Sequence, residues 1–212
     1  MTLILFTQIF AALALVFTLA AFGWRLRLFN ALARPVDRST PKGNPRLGIL
    51  YAFTLGMAPW AKESTRRHGI AYLRGVAFHL GIFLVLGILI LSPWLYLLPA
   101  AWRTLLALGA ALGALLGLAG FVARFAEHNL KALSTPDDYT AVLVVSLFQA
   151  SAGLWLVYAP ALPLFYIVSA IMLVYAPFSK IRHCIYYAYS RLFFGKFVGS
   201  RAVLPHSQQG AR

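Results

Sequence analysis

The chain has 212 residues, of which 61% are hydrophobic and 11% charged, with a formal net charge of +14. Soluble domains run at about 45–50% apolar and about 25% charged, so these proportions exclude a soluble globular protein and predict an integral membrane one. The basic residues fall between long apolar runs, which ties them to membrane orientation and lipid headgroups and excludes nucleic-acid binding.

The first run, Leu3 to Trp24, has no positive side chain before it and is followed directly by Arg25 and Arg27. It predicts a retained helix with its N-terminus outside, not a cleaved signal. A shorter stretch, Leu47 to Trp60, lies between Arg46 and Lys62. Its 14 residues are short for a span, so an interfacial or re-entrant segment is expected at about 47–60. The second helix is placed at about 72–96 and ends in Ser92-Pro93-Trp94-Leu95-Tyr96, whose aromatics suit a membrane interface.

The third helix, at about 101–124, carries Gly109, Gly113 and Gly117. Glycines at this spacing strip side chains from one face and let another helix approach closely; a groove for a flat cofactor is the second reading. Before the fourth helix, at about 139–159, stands Ser134-Thr135-Pro136-Asp137-Asp138. Thr135 suits an N-cap, Pro136 the first helical position, and the two acids the positive end of the helix dipole. A helix start is the first reading of these acids and a functional pair the second. The fifth helix is expected at about 162–190, kinked at Pro177 and ending among Tyr186, Tyr187 and Tyr189, with residues 191–212 as a basic cytoplasmic tail.

The expected fold is therefore an all-α bundle of five transmembrane helices forming a single domain over 1–212. In this layout eighteen of the nineteen lysines and arginines share one side and only Arg103 lies on the other. The crowded side is expected to be cytoplasmic, with the N-terminus outside and the C-terminus inside.

Five histidines remain to be assigned. His206 is in the polar tail, His68 in the basic loop Arg66-Arg67-His68-Gly69, and His128 beside Glu127 near the same surface. His79 is different, because it sits inside a span, in Val76-Ala77-Phe78-His79-Leu80-Gly81. An ionisable side chain there is costly to desolvate and is a functional candidate; the alternative is a neutral histidine donating to a backbone carbonyl. His79 lies five residues beyond Arg74 (about 7 Å along a helix) and His183 eight before Arg191 (about 12 Å), so the two share a similar depth. Two imidazoles at one depth on different helices can ligate one iron axially. The single cysteine, Cys184, excludes covalent haem attachment through C-x-x-C-H as well as a self-ligated iron–sulfur cluster, so such a haem would be of the non-covalent b type. Gly75, one turn before His79, leaves a gap for a haem edge. Lys180 and Arg182 could pair with propionates, with snorkelling to lipid phosphate the alternative.

Three stretches carry a family likeness: Phe78-His79-Leu80-Gly81-Ile82, the connection ending in Ala132-Leu133-Ser134-Thr135, and Ala176-Pro177-Phe178-Ser179-Lys180-Ile181-Arg182-His183. With the five-helix layout, the chain resembles the gamma subunit family of respiratory nitrate reductases, which are quinol-oxidising b-type cytochromes. The resemblance implies that His79 and His183 ligate the haem nearer the cytoplasm, and that Arg103, at the outer end of the third helix, helps hold a quinone. Ordinary interfacial anchoring is the alternative for Arg103. The family's second haem would need histidines where this chain has Leu89 and Phe165, so one haem is expected. That departure favours the branch of membrane cytochromes linked to sulfite reductase or resembling heterodisulfide reductase partners.

The expected function is an electron-transfer subunit of a quinone-linked oxidoreductase complex in the inner membrane of a prokaryote. It would pass electrons between menaquinone or ubiquinone and a cytoplasmic iron–sulfur partner through one bis-histidine haem b. A haem-free membrane anchor or assembly subunit is the rival reading. A small transporter is disfavoured by the lack of buried acids and of an inverted repeat.

Overall fold

The computed structural model describes residues 2–32, 39–61 and 63–203, without the side chains of residues 2 and 64. Arg34, Arg38, Lys62, His206 and Arg212, which entered the sequence reading, lie outside the described residues. Among those described, the chain is mostly helical, with no strand, and five segments are long and apolar enough to cross a bilayer. It is a multi-pass membrane protein, and its spans carry broad apolar faces suited to lipid.

Helix α1 (Thr2–Ala31) runs beyond Trp24 and carries Arg25 and Arg27 within it. Helix α2 (Pro45–Phe53) begins where the Asn44 side chain accepts from the Arg46 and Leu47 amides at 2.9 and 3.4 Å, with Pro45 at the first helical position. It stops after nine residues at Thr54, whose backbone leaves the helical region, and the rest of the expected 47–60 segment folds as two short 3₁₀ turns separated by Ala58, held extended before Pro59. The five-residue α3 (Glu63–Arg67) leads into α4 (Gly69–Leu91), which gives way at Pro93 to a 3₁₀ turn over Ser92–Leu97. Helices α5 (Ala100–Ala126), α6 (His128–Leu133) and α7 (Pro136–Val157) follow. Thr135 and Asp138 form a reciprocal capping box at the start of α7, as the Thr-Pro-Asp-Asp sequence predicts.

The fifth apolar run departs from expectation. Helix α8 (Leu162–Tyr175) ends short, two 3₁₀ turns follow over Ala176–Phe178 and Lys180–Arg182, and α9 (His183–Ser200) starts anew. The continuous helix expected over 162–190 is therefore broken, and residues 191–200, read as tail, are helical. Pro177 is the cause. It has no N–H to give the Leu173 carbonyl one turn back, so the ladder stops after the Ala176 N–H reaches Met172 O. The buried Thr18 hydroxyl of α1 takes the missing place, 2.7 Å from Leu173 O.

The described chain divides into two compact units. The first comprises residues 1–24 and 73–182. Its tightest pairing is α5 on α7, where α5 buries Ala107, Ala110, Gly113, Ala114, Gly117 and Gly120. A Cβ on Gly153 of α7 would stand 3.3 Å from the Ala107 carbonyl, so the two backbones are nearly in contact. The second unit comprises residues 25–72 and 183–212 and is built on α2 against α9. There a Cβ on Gly48 would fall 2.0 Å from Gly195 O, and one on Gly199 would fall 2.5 Å from Asn44 O. Only glycine permits that crossing.

Candidate functional site

His79 sits on α4, within the span Gly69–Leu97. The residues around it decide how α4 is rotated. Phe78 packs at Gly117 of α5, and Gly81 faces Gly113 and the side chain of Gln149. Those contacts turn one face of α4 inward and leave His79 exposed to the side. Its Nδ1 lies 2.7 Å from the Gly75 carbonyl. A carbonyl only accepts, so Nδ1 carries a proton, and in the neutral ring the lone pair is then on Nε2. A histidine held by its Nδ1–H on a backbone carbonyl is oriented as metal-bound imidazoles commonly are. Gly75 itself is open: a Cβ built there meets nothing within 4 Å.

His183 is the first residue of α9 and is exposed. It follows the broken turn, beyond the fifth span's end at Phe178. That turn is held from α7. The Asp137 carboxylate accepts the Tyr175 hydroxyl on one oxygen and the Lys180 backbone N–H, at 2.7 Å, on the other. The Lys180 ammonium pairs with Asp138 at 2.5 Å. The two acids therefore do more than start a helix: they fasten the segment leading to His183. Lys180, expected to face a propionate, is engaged with Asp138. Arg182 is exposed.

Arg103 lies in the first turn of α5, half-buried, and its Nε–H has no hydrogen-bond partner among the described residues. His68 falls in the turn between α3 and α4, and His128 opens α6; both are exposed. No group of three or more histidines, cysteines or carboxylates placed to hold a metal ion occurs among the described residues.

Leu89 and Phe165, where the resemblance would need histidines for a second haem, belong to the core. Leu89 is buried, and Phe165 is wholly buried among Trp155, Phe148 and Tyr166, with ring centroids 5.2, 6.0 and 6.0 Å away. The glycine row of α5 is also filled by protein: Gly109 meets Leu84, Gly113 meets Gln149 and Gly81, and Gly117 meets Ser146 and Phe78. Close helix packing accounts for the row, and no groove for a flat cofactor is left there.

Two residues escaped the sequence reading. Gln149, wholly buried, has neither amide atom hydrogen-bonded among the described residues. A lone amide in an apolar span is a legible signal, because no other side chain between Ala141 and Trp155 is as polar. Thr18 carried no such signal, because its partner carbonyl is distant in sequence. Comparison with protein-family models, with curated proteins and with solved structures finds no match.

Proposed function

We propose that the chain is a b-type cytochrome membrane subunit carrying electrons between a quinone pool and an iron–sulfur protein, in the inner membrane of a prokaryote. The observation that carries the reading is His79: an imidazole within an apolar span, its Nδ1 fixed on the Gly75 carbonyl and its lone pair on Nε2. Such a nitrogen fits an iron ligand, and the open position at Gly75 fits the edge of a porphyrin. His79 and His183 would hold the haem iron through their imidazole nitrogens, and Arg182 would supply a counter-charge for a propionate. Lys180 keeps the duty of holding Asp138 and so of fixing the turn before His183. A bound haem supplies one-electron redox chemistry, its potential set by its axial ligands and surroundings.

Arg103 is the donor proposed for a quinone carbonyl, since its Nε–H lacks an acceptor among the described residues. Aromatic packing around Phe165 supports a single haem. The one-sided distribution of basic residues supports an outside N-terminus and a cytoplasmic face that docks the acidic surface of an iron–sulfur partner. The nitrate-reductase-gamma-like family, in its sulfite-reductase-linked branch, is part of the same proposal and rests on the three quoted stretches.

A haem-free anchor is the second reading, favoured by the break at Ser179 that sets His183 beyond the fifth span. Purified protein, assayed as the pyridine haemochrome and by reduced-minus-oxidised spectra, is expected to carry one b-type haem. Both His79→Ala and His183→Ala should lose it. A colourless, normally helical wild-type protein overturns the cytochrome reading in favour of the anchor, and a normal spectrum in either variant overturns the ligand pair.

A further inference from the structure

In the second unit, thirteen of the chain's nineteen basic residues and two of its five acids fall within residues 25–72 and 183–212. One of those acids, Glu63, is paired with Arg67 at 2.5 Å. The excess of positive charge is therefore far larger than internal ion pairing can absorb.

The same unit presents large apolar side chains. Crossing α2 with α9 through Gly48, Gly195 and Gly199 leaves Leu50 and Phe53 of α2 exposed, together with Phe193 and Phe197 of α9. Phe193 is 72% exposed. The Lys42 and Gly43 amides both reach the Ser200 carbonyl, at 2.8 and 3.1 Å, and fasten one end of the crossing. On α9 and just past its end an aromatic ring precedes an arginine by four residues twice: Arg191 lies over Tyr187 at 5.7 Å, and Arg201 over Phe197 at 4.9 Å. Arg191 is thus held against a tyrosine, a ring that settles at headgroup depth, and Arg201 against a phenylalanine of the apolar patch.

We infer that the α2–α9 platform is a binding surface for anionic phospholipid. Phosphates meet Arg191, Lys196 and Arg201, while the neighbouring phenylalanines and leucine enter the acyl boundary. Charge complementarity alone would also suit an acidic protein. Exposed phenylalanines set among the cations suit lipid, because an acidic protein surface would leave them unmatched. The inference is independent of any haem.

The test uses the full chain reconstituted in phosphatidylcholine bilayers, with spin-labelled phosphatidylglycerol or phosphatidylcholine as the probe. Electron paramagnetic resonance reads the motionally restricted fraction of each. A several-fold preference for phosphatidylglycerol is expected, falling toward unity at molar salt. Replacing Arg191, Lys196 and Arg201 with alanine should abolish it, whereas R191K with R201K should keep it. Arg124→Ala and Lys131→Ala, in the other unit, should leave it unchanged. Equal restriction of the two lipids by the wild-type protein overturns the proposal. So does a preference surviving the triple replacement, or a lipid ratio of one accompanied by tight binding of polyglutamate.

Discussion

Thr18 and Pro177 form a pair whose coupling can be measured. Proline removes the donor that would serve the Leu173 carbonyl, and the Thr18 hydroxyl stands 2.7 Å from that oxygen and 2.8 Å from Ala14 O. Thr18 and Leu173 are both buried, at 4% exposure each, so no solvent replaces the hydroxyl if it is lost. Thr18→Val keeps the shape and removes the donor. Interhelical hydrogen bonds in membranes average about 0.6 kcal/mol and reach about 1.7, and a deserted carbonyl belongs toward the upper end, so the expected loss is about 1 kcal/mol. Pro177→Ala returns a backbone N–H to the Leu173 carbonyl, and in that background Thr18→Val should cost close to nothing. The coupling, about 1 kcal/mol, is a factor of about five in the unfolding equilibrium. Reversible unfolding of the four proteins in mixed micelles, followed by far-ultraviolet circular dichroism, measures it, with Thr18→Ser as the hydroxyl-retaining control. An equal cost of Thr18→Val in both backgrounds would refute the compensation.

At the α4–α5–α7 junction a Cβ on Gly113 would come 1.9 Å from the Gln149 oxygen, so Gly113→Ala should destabilise by about 1–3 kcal/mol and be partly rescued by Gln149→Ala. Gln149→Met alone removes two unpaired buried amide atoms and should raise the unfolding temperature; a fall would show that the amide has a partner. Burial pushes the Cys184 thiol up from its ordinary value, against the backbone N–H groups that lower it. A raised pKa keeps the reactive thiolate scarce at neutral pH, so maleimide labelling of this single cysteine should keep accelerating with pH after a free cysteine has levelled off. With the C-terminus inside, an impermeant maleimide should label it in inverted but not right-side-out vesicles, and the opposite pattern would reverse the proposed orientation.

The five spans were legible because apolar runs of membrane length have few other uses. The start of α7 was legible too, because Thr135, Pro136 and Asp138 act on their own neighbours. What escaped depends on pairs distant in sequence. Pro177 signalled a kink, but nothing local showed that Asp137 would hold the Lys180 amide and turn a bend into a break. Lys180 looked available for an anionic ligand until α7 supplied Asp138. Gly109, Gly113 and Gly117 announced close packing, while the identity of the packing partners, Leu84, Gln149 and Phe78 among them, waited for the fold. Of the candidate site, the His79 hydrogen bond to Gly75 is local to one helical turn and followed the alternative already open for it, whereas the place of His183 hung on the broken turn.

That turn also bears on how the protein meets membranes of different thickness. The fifth span has 20 residues, against 29 in each of the first two. At about 1.5 Å per α-helical residue and 2.0 Å in its 3₁₀ ends, it reaches about 33 Å, close to the apolar depth of a bilayer. The longer helices can absorb a thicker or thinner bilayer by tilting, but this one has little length in reserve. The fourth span, 22 residues of unbroken α-helix, also reaches about 33 Å. Thickening the membrane therefore loads these two spans before the others, and the Asp137–Lys180 fastening ties them together at one end.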